Sequence, residues 1–407
     1  MKKTVLFLLL CLFPVVVAAQ HAVLWSPDQK IAVSLYCKNG TNVGDWWLRI
    51  DRSEKTLSTV RLGLSRSDQD FLSALKFLKA SKTVIVRDDY TVLHGKRSHC
   101  TNEGHEIVVS FENPSKARMN LIVRAYDDGV AFRYEFPEKT GRFVVNEEFT
   151  AYSVAPTSKR WLEKWIPSNE NLYLGYKDDN VQQEWGYPAL FQADDSTFFL
   201  LHEADVNRSY CGTKLSNKAN KSEYVLTFPD QRDGNGMGES KPTIDLPWKS
   251  PWRVVVAGSL ATIVESTLVD DVCPPTAVKQ TDWIQPGIAS WNYWSDNHGT
   301  KDFKTVCAFA DLAATMGWPY TLLDWEWDAM GNGGNLEDAV RYIRSKGIKP
   351  LIWYNSGGKH NWVGATPKDR MLTHENRMVE FDKLQKLGVC GVKIDFFESE
   401  KQDMIAY

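Results

Sequence analysis

Two residues near the carboxyl end, Lys393 and Asp395, stand one apart in the run Val389-Cys-Gly-Val-Lys-Ile-Asp395. In a strand, side chains repeat every second residue, so both point to one face. A cation beside a carboxylate favours the ionised form. An ionised carboxylate so held suits a nucleophile or the stabiliser of an oxocarbenium-like transition state. A bare ion pair at a strand end has the same spacing, so this pair alone decides little. Similar residues recur at three other places: Asn292, Trp294 and Asp296; Asp324 and Glu326; and Asn355. One carboxylate at a strand end is readily a helix cap or a salt bridge. Four such ends together point to a site, because charge at the end of a buried strand is costly unless it is paired or solvated.

The elements that would carry these residues alternate strictly. Strands are expected over Gly287–Trp294, Tyr320–Trp325, Ile348–Asn355 and Val389–Asp395. Helices are expected over Asp302–Met316, Leu336–Lys346 and His374–Leu387, the last two stopped by Gly347 and Gly388. Apolar strands alternating with helices make a parallel sheet of βαβ units. No glycine-rich phosphate loop follows the first strand, which argues against a dinucleotide fold. A (β/α)8 barrel fits better, since loops at the carboxyl ends of its strands build the active site.

From about residue 22 to 269 the pattern is different. Short alternating runs such as Ile31–Tyr36, Lys82–Val86, Glu106–Phe111 and Met119–Tyr126 are separated by Gly, Asn and Asp turns, which reads as a β-sandwich. Phe71–Ala80 is expected to form one short helix. The run Asp270–Asp282, with Pro274-Pro275, reads as a linker. The expected organisation is a leader over 1–19, a β-sandwich over 20–270, a linker over 271–282 and the first four β/α units of a barrel over 283–407. The chain ends at Tyr407 after four of eight strands, so a fragment of a longer product is expected.

The first residues, Met-Lys-Lys and then an apolar run to Val17 and Ala18-Ala19, have the form of a secretory signal peptide, too short for a membrane span. Export to the periplasm or medium follows as an expectation, with no membrane insertion after cleavage. A formal net charge of −3 is no footprint for nucleic acid. The six cysteines after Cys11 are scattered singly, without zinc spacing, and are read as mostly unpaired. Sixteen tryptophans is a high number, and Trp291, Trp294, Trp325 and Trp353 fall at expected strand ends. An indole offers a flat apolar face and one N–H to a sugar, although any single Trp is more often core.

The runs Asp282–Trp294, Tyr320–Trp327, Pro350–Gly357, Gly391–Phe397 and, earlier, Phe199-Leu-Leu-His-Glu-Ala-Asp205 together resemble glycoside hydrolase family 97. The resemblance implies an exported, calcium-dependent, exo-acting α-glycosidase with a β-sandwich, a catalytic barrel and a small C-terminal β domain. In the family's retaining branch a carboxylate ends the fourth barrel strand, and Asp395 stands at that place. The resemblance therefore implies a retaining, α-galactosidase-like hydrolase with Asp395 as nucleophile. Lys393, Asp324, Glu326, Trp291, Trp294, Trp353 and Asn355 are the expected contacts to an oligosaccharide or glycoside. Glu203 corresponds to a calcium ligand lent by the β domain, with Glu184 a weaker candidate. The family's acid/base glutamate would fall beyond residue 407, and Glu326, Glu398 and Glu400 do not stand at its place. An inverting α-glucosidase-like enzyme and a non-catalytic sugar-binding protein are the competing readings.

Overall fold

The computed structural model describes residues 20–407, so the expected leader lies outside the described residues. The first part is built on two large sheets. One has eight strands, ordered Gln20–Trp25, Ile31–Cys37, Trp46–Arg52, Lys55–Arg61, Ala151–Ser153, Glu223–Thr227, Lys214–Ser216 and Glu184–Trp185. The other has twelve, with His99–Glu112, Arg118–Tyr126, Gly129–Phe136, Trp252–Gly258 and Phe198–Ala204 among them. The sheets face each other: Trp46 of the first lies 5.2 Å from Phe111 of the second, and Tyr224 lies 5.0 Å from Phe191. That contact is a β-sandwich core, filled by alternate residues of both sheets. The larger sheet is also covered outside, where Trp252, Val254 and Val256 pack with Leu268 and Val272. Burial on both faces explains why Trp252–Gly258 is apolar except at Arg253.

The helix expected over Phe71–Ala80 does not form. Leu75–Ala80 is instead a strand pairing with His99–Glu112, with Phe77 opposite Phe111. Ala74 takes a left-handed φ of 52°, which breaks any helix there. The spacing of Phe71 and Leu75 mimics a helix face, but pairing with the long strand beside it prevails.

Beyond the short helix Leu268–Asp271 the chain has neither helix nor strand until Ala289. Four parallel strands then follow in sequence order: β1 (Ala289–Trp291), β2 (Tyr320–Leu323), β3 (Lys349–Asn355) and β4 (Gly391–Asp395). Helices α1 (Phe303–Met316), α2 (Leu336–Ser345) and α3 (His374–Leu387) connect them. Each helix starts where its sequence provides a cap. Asp302 accepts from the Thr305 amide, Asn335 and Asp338 form a reciprocal capping box, and Thr373 accepts from the Asn376 amide. Gly317 and Gly388 end α1 and α3 with φ of 68° and 90°, a conformation costly for any residue with a Cβ. The helices bury Val306, Ala310, Val340 and Ile343 against Leu323, Ile352 and Tyr354 of the sheet. Sequential parallel strands with covering helices are the first half of a (β/α)8 barrel.

The two parts are joined just after β4. The Gly212 and Gly234 amides donate to the carbonyls of Glu400 and Glu398 at 2.9 and 2.8 Å. Lys401 Nζ donates to the Gln231 carbonyl at 2.6 Å, and Gln402 exchanges hydrogen bonds with the Thr243 backbone. No described helix is long and apolar enough to cross a membrane.

Candidate active site

β3 and β4 pair in register, with Trp353 opposite Lys393 and Asn355 opposite Asp395. Their carboxyl ends, with those of β1 and β2, open on a cleft of about 560 Å³. Asp324, Lys393 and Asp395 meet in it. Lys393 Nζ lies 3.5 Å from Asp395 Oδ2 and 3.6 Å from Asp324 Oδ2, so one ammonium bridges two carboxylates. The same ammonium sits over the Trp291 ring, 4.5 Å from its centroid. A cation on an indole face is attracted by the ring quadrupole, which fixes the lysine without another anion.

The two carboxylates are not equivalent. Asp324 is buried and takes the Trp291 indole N–H at 2.5 Å and the Trp325 amide at 2.8 Å. Asp395 takes the Trp353 indole N–H at 2.7 Å on Oδ2 and the Phe396 amide at 3.0 Å on Oδ1, yet its side chain keeps 30% of its surface open. The open carboxylate is the one that can reach a ligand. Its position depends on the turn behind it. Phe396 has a left-handed φ of 63°, and its carbonyl fills the place a Cβ would take on Gly357, 2.0 Å away. Only a glycine lets the two backbones approach this closely.

The remaining expected contacts divide. Trp294 is 85% exposed at the cleft mouth, beside Trp291 and Tyr293. Trp353 lines the cleft, but its ring is buried and acts through its N–H, so it is no stacking platform. Glu326 is turned away: β2 has ended, Glu326 takes a φ of 66°, and its carboxylate pairs with His298 and Lys301. The alternation that would align it with Asp324 stops with the strand. Asn355 is also no ligand contact. It is buried, with its amide donating to the Val363 and Ala365 carbonyls and its oxygen accepting from Gly358 and Asn361. It thereby holds the loop that presents Val363, Gly364 and Ala365 to the cleft. Six lining residues escaped sequence reading: Tyr293, Val363, Gly364, Ala365, Phe396 and, from the β-sandwich, Glu170. Tyr293 lies within the aromatic run 291–294, which could have marked it; Glu170 sits in a loop without a pattern.

Glu203 lies apart, buried at the junction of the two parts. Its oxygens accept from the Thr213 amide and hydroxyl, at 2.9 and 2.7 Å, and from Arg253 at 2.7 Å. Arg253 also binds Glu148 with two hydrogen bonds, so one buried guanidinium serves two carboxylates. Burial pushes the Glu203 carboxyl up to about 7, against the pull of Arg253. A calcium ion needs several free oxygens. Those of Glu203 are taken, one by a cation, and the described residues hold no cluster of three or more metal-ligating side chains. As arranged, these residues do not fit the ion. Glu184, the weaker candidate, pairs with Lys214 and Lys218 instead.

Residues 24–275 match the pattern described as glycosyl-hydrolase 97 N-terminal, and residues 283–407 match that of glycoside hydrolase 97. The chain belongs to glycoside hydrolase family 97. Among relatives in this family, a probable retaining alpha-galactosidase of Streptomyces bingchenggensis is 29% identical over 88% of this chain and 55% of its own length. The retaining alpha-galactosidase of Bacteroides thetaiotaomicron is 26% identical over 72% and 48%. The chain thus spans about half the length of the curated relatives it matches. The crystal structure of a beta-arabinopyranosidase superposes with a TM-score of 0.88 at 28% identity, covering 95% of this chain and 64% of that one. A family 97 enzyme of Pseudoalteromonas sp. strain K8 in complex with acarbose superposes with a TM-score of 0.78 at 18% identity, over 94% and 63%. That likeness shows the shared family 97 fold: a β-sandwich followed by barrel strands.

Proposed function

We propose that the complete protein removes terminal α-linked galactose-type sugars by double displacement, with Asp395 attacking the anomeric carbon. The observation that carries this reading is the partly open Asp395 carboxylate, held from behind by Trp353, Lys393 and the Phe396 amide. In the first step an Asp395 oxygen forms a bond to the anomeric carbon as the glycosidic oxygen leaves with a proton. In the second, water displaces the aspartyl ester, and the α configuration is restored. Lys393 and the Trp353 N–H offset charge on Asp395 and aim it. Asp324, buried and fixed by Trp291 and Trp325, holds Lys393 beside Asp395, and Trp294 offers a face at the mouth. A retaining enzyme also needs a protonated carboxyl ~5 Å from the nucleophile. The family resemblance implies that this acid lies outside the cleft residues described above.

Early product from a nitrophenyl α-galactoside, read by proton NMR, tests the proposal. The first sugar released should be the α anomer. A β anomer would mean direct attack by water, as in the inverting alternative, and no hydrolysis at all would favour a sugar-binding protein.

A second reading rests on the beta-arabinopyranosidase likeness. A β-L-arabinopyranoside is an α-D-galactopyranoside without its C6 hydroxymethyl, so one nucleophile geometry serves both. Comparing kcat/KM on the two nitrophenyl glycosides separates them. Calcium remains a proposal for the complete protein, in which Glu203 would have to exchange Arg253 for the ion. Chelation and add-back tests it. Export to the periplasm or medium is likewise proposed, on the form of residues 1–19.

A further inference from the structure

A second groove, sharing no lining residue with the cleft, has a volume of about 870 Å³ and opens on the outer face of the eight-stranded sheet. It is built by the strands Gln20–Trp25, Ile31–Cys37, Trp46–Arg52 and Lys55–Arg61 and by the turns between them. The register sets one row straight across: Trp25 opposite Ala32, Ala32 opposite Asp51, and Asp51 opposite Thr56. Val23, Ser34 and Arg49 make the next row. Side chains alternate between the faces of a strand, and Ile31, Val33, Leu35 and Ile50 take the inner face, in the sandwich core. The outer rows thus have small residues at their centre, Ala32 and Ser34, between an indole and a polar bank. Trp25 is 50% exposed, and its backbone is pinned because its carbonyl accepts from His105 Nδ1 at 2.7 Å. On the opposite bank, Asp51 accepts from Arg49 Nε at 2.8 Å and from the Thr56 hydroxyl at 2.6 Å. Gln20 Nε2 donates to Ser34 Oγ at 2.6 Å on the floor. The bank is therefore fixed, yet the Arg49 side chain keeps 49% of its surface open. Formal charges in the groove balance, Lys30 and Arg49 against Asp51 and Glu54.

We propose that this groove is a second carbohydrate site, which binds the chain of a neutral polysaccharide apart from the cleft. That the bound chain carries the sugars removed in the cleft rests on the glycosidase reading above; the site itself rests on the groove. A single apolar side chain on a surface is ordinary. Here the exposed indole borders a trough of ligand size, facing hydrogen-bonding groups already held in place. The flat face of Trp25 suits the C–H side of a pyranose ring. Sugar hydroxyls both donate and accept, and the bank offers both, through guanidinium N–H groups and through carboxylate and hydroxyl oxygens. A charge-balanced groove has no net field to concentrate an anion, so a phosphate or a uronic acid polymer does not match it.

The experiment separates binding from hydrolysis in the protein expressed from its complete gene. Electrophoresis through gels containing galactomannan, arabinogalactan or, as an anionic control, polygalacturonate gives the retardation. A series of polymer concentrations turns it into a dissociation constant. Trp25→Ala removes the flat face, and Ala32→Gln fills the floor from the outer side of the sheet. Each variant should unfold cooperatively and hydrolyse a nitrophenyl α-galactoside at the wild-type rate. Each should bind at least one neutral polysaccharide ~10-fold more weakly than the wild type does. Trp25→Tyr, which keeps a flat ring, should recover part of that binding. Three results would overturn the site while the glycosidase reading stands: a wild type retarded by neither neutral polymer, variants retarded as strongly as the wild type, or retardation by polygalacturonate alone. Retardation that depends on Trp25 in a protein that hydrolyses no glycoside would keep the site and remove the glycosidase reading.

Discussion

The indole N–H of Trp353 donates to Asp395 Oδ2 at 2.7 Å, across the register of β3 and β4. Trp353 is itself buried, 2% exposed, so this donor has little freedom to move. A preorganised donor aimed at a carboxylate costs no reorganisation when charge shifts during reaction.

Replacing the tryptophan tests that role. Trp353→Phe keeps an aromatic ring but removes the donor. We expect kcat to fall ~10- to 100-fold, the worth of a hydrogen bond to a charged group, with KM changed less. An unchanged kcat in a folded variant would show that the donor is not needed to hold Asp395.

Asp395 itself should be far less tolerant. Asp395→Gly should lose three or more orders of magnitude in kcat while still binding substrate. Azide should restore part of the turnover by entering the vacated space, giving a β-glycosyl azide of inverted configuration. Failure of azide, joined with appreciable residual hydrolysis, would leave Asp395 a positioning group.

Gly357 makes no contact with the cleft, yet it should matter to catalysis. A Cβ there would stand 2.0 Å from the Phe396 carbonyl oxygen. Gly357→Ala must displace the turn that follows Asp395, and a shift of 1 Å near a reacting atom costs ~100-fold. The prediction is a fall of this order in kcat with cooperative unfolding preserved. Wild-type kcat would mean that the turn yields without moving Asp395.

The Arg253 cluster predicts a pH effect on stability. The folded protein holds the Glu203 proton up to about 7, whereas the ordinary glutamate value is 4.5. Between these values the folded state binds a proton that the unfolded chain has lost, so this contribution to stability falls as pH rises. The full effect is about 3 kcal/mol. Denaturant unfolding across the window should show a decline that Glu203→Gln flattens. Identical slopes in both proteins would remove Glu203 as its source.

Much of this was legible because strict periodicity leaves few alternatives. The alternation of apolar strands with capped helices located β1 to β4, and the two-residue spacing of Lys393 and Asp395 put both side chains in one cleft. What escaped reading depended on where alternation stops. Glu326 lies two residues after Asp324, as Asp395 lies two after Lys393, but β2 ends at Leu323 and the backbone turns Glu326 toward His298. Asn355 closes β3 at the register of Asp395, yet its four hydrogen bonds all go to its own loop. Phe71–Ala80 misled because a short apolar run fits either period until a partner strand is known. Glu170 could not be found from sequence, since its place in the cleft follows from the docking of one part of the chain on another.

The hydrogen bonds that fasten residues 398–402 to Gly212, Gln231, Gly234 and Thr243 begin only three residues beyond Asp395. A bilobed enzyme often admits its substrate by swinging one lobe against the other, and release then waits on that swing. Here such a rotation would drag Asp395 with it. The β-sandwich is a fixed chassis for the Asp395 carboxylate, and traffic into the cleft is left to its own rim, where Trp294 stands open to solvent.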